Sequence, residues 1–257
     1  MIVTDGDHAL AAKLAKTAGQ LLVQLRQTAV VDGKALGAMG DTVANAFLMS
    51  ALRTLRPDDG ILSEEERSSP ERLTKARVWV VDPLDGTREY SEGRDDWAVH
   101  VALCLDGSPV AAAVALPGLN VTHSTVARRT QRNAESEDVL VSRSRPPREA
   151  EAIARALKTS LKPMGSAGAK AMAVLRGNAR AYVHSGGQYE WDSCAPACVA
   201  AAHGLHVSRL DGSELIYNQP DPYLPDLLIC EPDVADQILA TVRAISEDDP
   251  AQAKHSA

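Results

Sequence analysis

The stretch from Arg77 to Tyr90 reads RVWVVDPLDGTREY: strand-forming residues Val78 to Val81 run straight into Asp82 and Asp85, which are separated by Pro-Leu and followed by Gly86-Thr87. A buried strand ending in two carboxylates must meet a cation or suffer a heavy desolvation penalty. Acid stands at comparable places in two other segments, Glu64-Glu65-Glu66 after ILS and Asp192 in EWDSCAP. Hard divalent cations take carboxylate and carbonyl oxygens, so Glu64, Asp82, Asp85 and Asp192 are candidate ligands for magnesium. Pro83 removes a donor and fixes a turn, which could aim the Leu84 carbonyl inward as a further ligand. Gly86 permits close approach of a phosphate to the backbone, and Thr87 offers an amide and a hydroxyl at a helix start. Two ions beside an anion pocket are what metal-assisted hydrolysis of a phosphate ester needs. Each piece alone has a plainer explanation: SEEE as a solvated run, DPLDG as an ordinary turn, Asp192 as a helix cap. Their conjunction favours a metal site.

The elements that must position these residues follow from periodicity. Apolar residues at helical spacing predict a helix from Asp7 to Gln27 and a second from Thr42 to Leu55, closed by Arg56-Pro57. Short strands end at SEEE and at Asp82, and Trp97 to Val126 reads as an antiparallel meander with a turn at Asp106-Gly107 and a break at Pro117-Gly118. The polar run from Arg128 to Asp138 is the expected boundary, giving an amino-terminal α+β half (1–135) with most of the acids and a carboxy-terminal α/β half (136–257) with Asp192. In the second half strands and helices alternate, and SEDDPAQAKHSA is read as a frayed tail.

The 257 residues are 45% hydrophobic and 24% charged, which suits a globular protein with one large or two medium cores. A net charge of -7 argues against a nonspecific nucleic-acid binder, although metals could still reverse the field locally for an anionic substrate. No apolar run approaches the roughly 20 residues of a membrane span, and the amino end lacks a signal-peptide pattern, so a cytoplasmic protein is expected. Cys104, Cys194, Cys198 and Cys230 match no common zinc or disulfide spacing and read as reduced core residues; Cys194 and Cys198 would share a helix face, where a redox role is the alternative.

ILSEEE, WVVDPLDGT and EWDSCAP stand in the order and context of the inositol monophosphatase superfamily of magnesium-dependent, lithium-sensitive phosphatases, and the chain is similar to it from about the second helix to the final strands. Within that superfamily MGSAGAKAMAVLRGNARAYVHSGGQYEWDSCAP and NQPDPYLPDLLICE look most like the CysQ-type 3'(2'),5'-bisphosphate nucleotidases. The resemblance implies a layered α/β/α/β/α sandwich with the site between the halves, a homodimer, and hydrolysis of 3'-phosphoadenosine 5'-phosphate left from sulfate assimilation. It further implies two to three magnesium ions: one on Glu64, Asp82 and the Leu84 carbonyl, one on Asp82, Asp85 and Asp192, and a weaker one on Glu64 and waters. Thr87 would orient the attacking water, and the Gly86 and Thr87 amides would grip the scissile phosphate. Asp41 in LGAMGDTVANAF stands as partner of Thr87 or as amino-cap of a helix starting at Thr42, and Asn45 stands where an aspartate is common.

A bisphosphate nucleotide needs cations away from the metals and a surface for its ring. Arg143 and Arg145, alternating on one strand, Lys170, and the loop from Gly165 through Ser166 to Gly168 are candidates for the second phosphate or the sugar. Tyr182 and His184 are candidates for the base or sugar pocket, and Gln188 and Glu190 for the ribose; each is as readily a packing residue. An inositol monophosphatase or fructose-1,6-bisphosphatase of broad specificity is the alternative enzyme. A noncatalytic sensor is disfavoured because binding alone does not require a complete hydrolytic set of acids.

Overall fold

The computed structural model describes residues 3–126 and 136–248. Residues 128–135 of the expected boundary segment and 249–257 of the expected tail lie outside them. Helices α1 (Asp5–Thr28) and α2 (Gly33–Leu55) precede a sheet of β1 (Gly60–Ser63), β2 (Arg77–Asp85), β3 (Ala98–Leu105), β4 (Ser108–Leu116) and β5 (Val121–Ser124), in that spatial order. The short helix α3 (Thr87–Ser91) follows β2. Strands β1 and β2 are parallel and the rest of the sheet is an antiparallel meander. The second half contributes β6 (Val139–Ser142), α4 (Ala150–Leu157), β7 (Leu161–Met164), α5 (Ala167–Leu175), β8 (Ala181–Tyr189), α6 (Glu190–Ala202), β9 (His206–Ser208), β10 (Tyr223–Cys230) and α7 (Pro232–Asp248). Its sheet has the order β7-β6-β8-β10-β9.

Alternation along the strands builds five layers. Trp79, Val81, Val99, Val101 and Leu103 face α1 and α2; Val78, Val80, Ala102 and Cys104 face the opposite way, onto α5 and α6. Those two helices also pack on Leu140, Tyr182, Leu227 and Ile229 of the second sheet, whose outer face, with Val183 and Leu228, is covered by α4 and α7. The order is therefore α/β/α/β/α, as the resemblance implied. The halves share the middle core, because α5 and α6 come from the second half and pack on both sheets. The four cysteines are buried and unbridged, with Cys104 Sγ 3.4 Å from Cys194 Sγ.

Several expectations need correction. Helix α2 begins at Gly33 rather than Thr42, so Asp41 lies within the helix and is not its cap. Gly37 and Gly40 each cost about 1 kcal/mol in a helix interior relative to alanine. Here they are needed for contact: a Cβ at Gly37 would stand 2.8 Å from Thr87 Cγ2, and one at Gly40 2.9 Å from Leu84 Cδ2. By length and composition α2 could cross a membrane, but Leu36, Leu48, Met49 and Leu52 on its apolar side are buried in the layer against the first sheet. The apolar residues of the Trp97–Val126 meander are mostly buried in the cores on its two faces. Strand β6 ends at Ser142, so Arg143 and Arg145 follow it in a bend instead of alternating along it. Helix α7 continues through Ser246 to Asp248, the start of the expected frayed tail.

An ionic knot ties the start of α1 to the base of the first sheet. Asp7, almost fully buried, accepts from Arg77 at 2.9 Å and from Arg56 at 3.1 Å, while Arg77 also donates to Asp59. Burial alone would raise the Asp7 pKa, but the bonds from Arg77, the Thr4 amide and Arg56 outweigh it and hold the carboxyl well below its ordinary range. Asp7→Asn is expected to cost about 3 kcal/mol in urea unfolding at pH 7, because Arg56 loses its countercharge and Arg77 is left with Asp59 alone. A depressed folded pKa contributes stability that is present above the unfolded value of about 4 and lost as pH falls toward the folded one. The gap between wild type and variant should therefore narrow below about pH 4.

Candidate active site

Parallel pairing of β1 with β2 sets Ser63 beside Val81, and the Glu64 amide still donates to the Val81 carbonyl at 3.3 Å. The next residues in each chain segment, Glu64 and Asp82, thus emerge together at one end of the sheet. A register shift in β2 between Asp82 and Asp85 lets both aspartates leave the strand close to one another, and the Asp82 carboxylate accepts the Leu84 amide at 3.0 Å. Asp192, in the first turn of α6, reaches the same point, its carboxylate accepting the Tyr189 amide at 2.7 Å. Ligand oxygens of Asp82, Asp85 and Asp192 lie within 4.8 Å of one another.

The electrostatics show what this crowding costs. Burial, then the charges of Glu64, Asp85 and Asp192, push the Asp82 pKa far up. Enclosure and the charges of Asp192 and Asp85 raise Glu64 to about 8, and burial with Asp85 raises Asp192 to about 6. Asp85 goes the other way, to about 2, because His100, Lys170 and the Ser166 hydroxyl outweigh its burial. Protons or cations must neutralise such a set, and a cluster of carboxylate oxygens without thiolates suits a hard divalent ion. Asp82, Asp85 and Asp192, with Glu64 electrostatically coupled to them, thus form a group that could hold a metal ion. The Leu84 carbonyl, expected as a ligand, accepts the Thr87 hydroxyl at 3.1 Å, and its second lone pair leaves it able to serve both.

Asp41 Oδ1, 3.2 Å from the Thr87 hydroxyl, is the alternative acceptor for its single proton, so α2 supplies a partner of Thr87 from its interior. One turn on, Asn45 accepts the Ser63 hydroxyl at 2.9 Å and pins the strand end that precedes Glu64. Burial and the charge of Glu65 raise the Asp41 pKa to about 7, against the lowering effect of Thr87. Gly86 has φ +89°, and a side chain there would press on Ser166 Cβ and on backbone of Asp96 and Trp97.

On the other side, Asp85 accepts from the Ser166 hydroxyl and, at 2.7 Å, from the Gly168 amide. Lys170 is buried one turn along α5, its ammonium donating to the Ser166 carbonyl at 2.5 Å and lying 4.9 Å over the Tyr182 ring. Burial outweighs the attraction of Asp85 and Glu89 and brings its pKa down to about 8. A cavity of about 170 Å³ joins these groups; Asp85, Gly86 and Asp192 line it together with Arg143, Arg145, Lys170, Tyr182, His184 and Gln188. A larger hollow of about 860 Å³ lies between α1 and the edge of the first sheet, away from the acids.

Arg143 is engaged with Glu89 and Glu92. Arg145 is exposed, lies across Gly187, and has no ionic partner for its guanidinium among the described residues. Glu190 is not brought to the cavity: its carboxylate is buried and accepts the amides of Asn218 and Gln219 at 2.6 and 2.7 Å. His100 escaped the sequence reading. It pairs with Asp82 across β2 and β3, sits 3.2 Å from Asp85 Oδ2, and donates from Nδ1 to the Trp191 carbonyl at 3.0 Å. A polar residue inside the apolar run AVHVALCL was the signal.

A model of the inositol monophosphatase family matches residues 7–247. The chain belongs to that family. Among curated relatives, a Mycobacterium leprae protein named 3'-phosphoadenosine 5'-phosphate phosphatase is 48% identical over 93% of this chain and 94% of its own length. The Escherichia coli K12 protein named 3'(2'),5'-bisphosphate nucleotidase CysQ is 31% identical over 82% of this chain and 94% of its own. The solved inositol monophosphatase II of Staphylococcus aureus shares the fold with a TM-score of 0.75, at 19% identity over 95% of this chain and 99% of that one.

A methyl group at Gly168 would stand 2.1 Å from His100 Nε2, and the fully buried ring has no room to retreat. Gly168→Ala should displace His100 or the Gly168 amide from Asp85 and weaken magnesium binding about 10- to 100-fold, while thermal unfolding stays cooperative. Titration calorimetry measures it; unchanged affinity would mean that neither contact governs Asp85.

Proposed function

We propose that the chain is a magnesium-dependent phosphatase that removes the 3'-phosphate of 3'-phosphoadenosine 5'-phosphate, and of its sulfated analogue, in sulfur assimilation in the cytoplasm. The relative that shares 48% of its residues bears the corresponding name. The observation that carries the reading to a bisphosphate is the mixed charge of the cavity, whose lining combines Asp85 and Asp192 with Lys170 and the partnerless Arg145. A substrate with one phosphate has no use for the free guanidinium, whereas a bisphosphate engages it with its second phosphate.

Glu64 and Asp82 with the Leu84 carbonyl would hold one magnesium, Asp82, Asp85 and Asp192 a second, and Glu64 with waters a third. When bound, magnesium supplies the Lewis acidity that activates water and offsets charge on the leaving oxygen. The chain's own part is orientation and proton handling. Thr87, its hydroxyl proton directed at Asp41 or the Leu84 carbonyl, keeps oxygen lone pairs free to accept a hydrogen bond from the attacking water. Asp41 is the group to which a proton can pass through Thr87, and its raised pKa fits that task. The Gly86 and Thr87 amides hold the scissile phosphate, and Ser166 and the Gly168 amide keep Asp85 aimed. Arg145 serves the second phosphate, with Lys170 adding its positive field while its ammonium stays bonded to the Ser166 and Met164 carbonyls.

Phosphate release from 3'-phosphoadenosine 5'-phosphate, inositol 1-phosphate and fructose 1,6-bisphosphate should be compared with magnesium and with chelator. The expected outcome is kcat/KM at least about 100-fold higher for the nucleotide, abolished by chelator, from the value of a desolvated charge-assisted contact. Equal rates on all three would retire the nucleotide reading while leaving the metal chemistry in place.

A further inference from the structure

Two of the buried side-chain atoms without a hydrogen-bond partner belong to residues that line the cavity: His184 Nδ1 and Gln188 Oε1. Their states are fixed by their other contacts. His184 Nε2 lies 3.0 Å from the Gly186 carbonyl, which can only accept, so the proton is on Nε2 and Nδ1 carries a lone pair. Burial, with the charges of Lys170 and Arg145, brings the His184 pKa down to about 4, so the ring stays neutral at physiological pH. Gln188 Nε2 donates to the Tyr182 hydroxyl at 2.8 Å, which turns Oε1 away as a second free acceptor. The two side chains are 3% and 4% exposed, too little for solvent to satisfy them.

Buried polar groups are nearly always paired, and an orphan pair in one site wall calls for a partner that arrives. Both orphans are acceptors, and the cations nearby cannot serve them as they stand: Lys170 is turned to the Met164 and Ser166 carbonyls, and Arg145 lies across Gly187. The cavity holds about 170 Å³, below the roughly 300 Å³ usual for a small-molecule site, and the exposed Arg145 side chain is the part of its wall free to swing aside.

We propose that His184 Nδ1 and Gln188 Oε1 select the nucleoside part of the substrate by accepting hydrogen bonds from a donor group on it, either the exocyclic amine of the base or a ribose hydroxyl. Resting on the bisphosphate-nucleotide reading, this adds a determinant that inositol and sugar phosphates of equal charge would not meet in the same way. Sites built to bond a donor reject analogues that lack it far better than sites that merely fit a shape.

The test uses the whole protein with magnesium and compares three substrates: 3'-phosphoadenosine 5'-phosphate, its inosine counterpart with a keto group in place of the amine, and its 2'-deoxy counterpart. One analogue should lose about 10- to 100-fold in kcat/KM, and which one it is names the donor. His184→Phe and Gln188→Met should each shrink that discrimination ratio about 10-fold or more, and His184→Asn, which can place an oxygen near the Nδ1 position, should restore part of it. A purely structural role would slow all substrates alike and leave the ratio unmoved. If wild type processes both analogues within about 3-fold of the parent nucleotide, or if neither removal variant moves the ratio, the inference falls while the nucleotidase reading stands. If the parent nucleotide is itself no better than inositol 1-phosphate, both fall.

Discussion

Carboxylates from three separate segments share one end of the first sheet, close enough to oppose one another's ionisation, and the surrounding fold holds them there. Glu64 arrives by parallel register with β2, Asp82 and Asp85 by a register shift in that strand, and Asp192 on the first turn of a helix sandwiched between both sheets. No single element could present them so. Each carboxylate is costly to bury alone, and together they raise one another's pKa unless a cation neutralises them. The protein's own neutralising groups, His100 and Lys170, act chiefly on Asp85. The remaining negative charge is what binds metal, and through metal the phosphate of an acidic protein's anionic substrate.

Helix α2 is the device that aligns the hydrolytic side. Gly37 and Gly40 let its backbone approach Thr87 and Leu84 closely, so Asp41 can reach the Thr87 hydroxyl and Asn45, on the same face, can hold Ser63. Helix α5 acts in parallel on the other side, where Ser166, at φ +54°, caps the helix through the Ala169 amide and donates to Asp85 at once. A left-handed conformation at a non-glycine residue is unfavourable, and here it coincides with the position that must face both ways.

The two halves and the acidic segments were legible in the sequence because both rest on local patterns, period-two and period-3.6 hydrophobicity and acids following strand ends, whereas the five-layer order was implied only by the family resemblance. What could not be read depended on contacts between distant segments. The start of α2 was not legible because what suits Gly37 and Gly40 to a helix interior is their close contact with Thr87 and Leu84, distant in sequence. His100 was passed over because its role comes from the register between β2 and β3. Glu190 looked like a ribose contact by its nearness to Asp192 in sequence, yet a helical turn points its carboxylate to the Asn218–Gln219 loop instead. Arg143 and Arg145 looked equivalent, and only the positions of Glu89 and Glu92 separate them.

The central claim, that crowded carboxylates exist to be neutralised by a divalent cation, is tested most directly by proton release on metal binding. Magnesium is titrated calorimetrically into the protein at pH 6.5 in buffers of differing ionisation enthalpy. With Glu64 raised to about 8 and so protonated at that pH, the account predicts release of about one proton per site, falling away toward pH 9 as Glu64 loses its proton unaided. Binding without proton release at pH 6.5, or no magnesium binding at all, would contradict it.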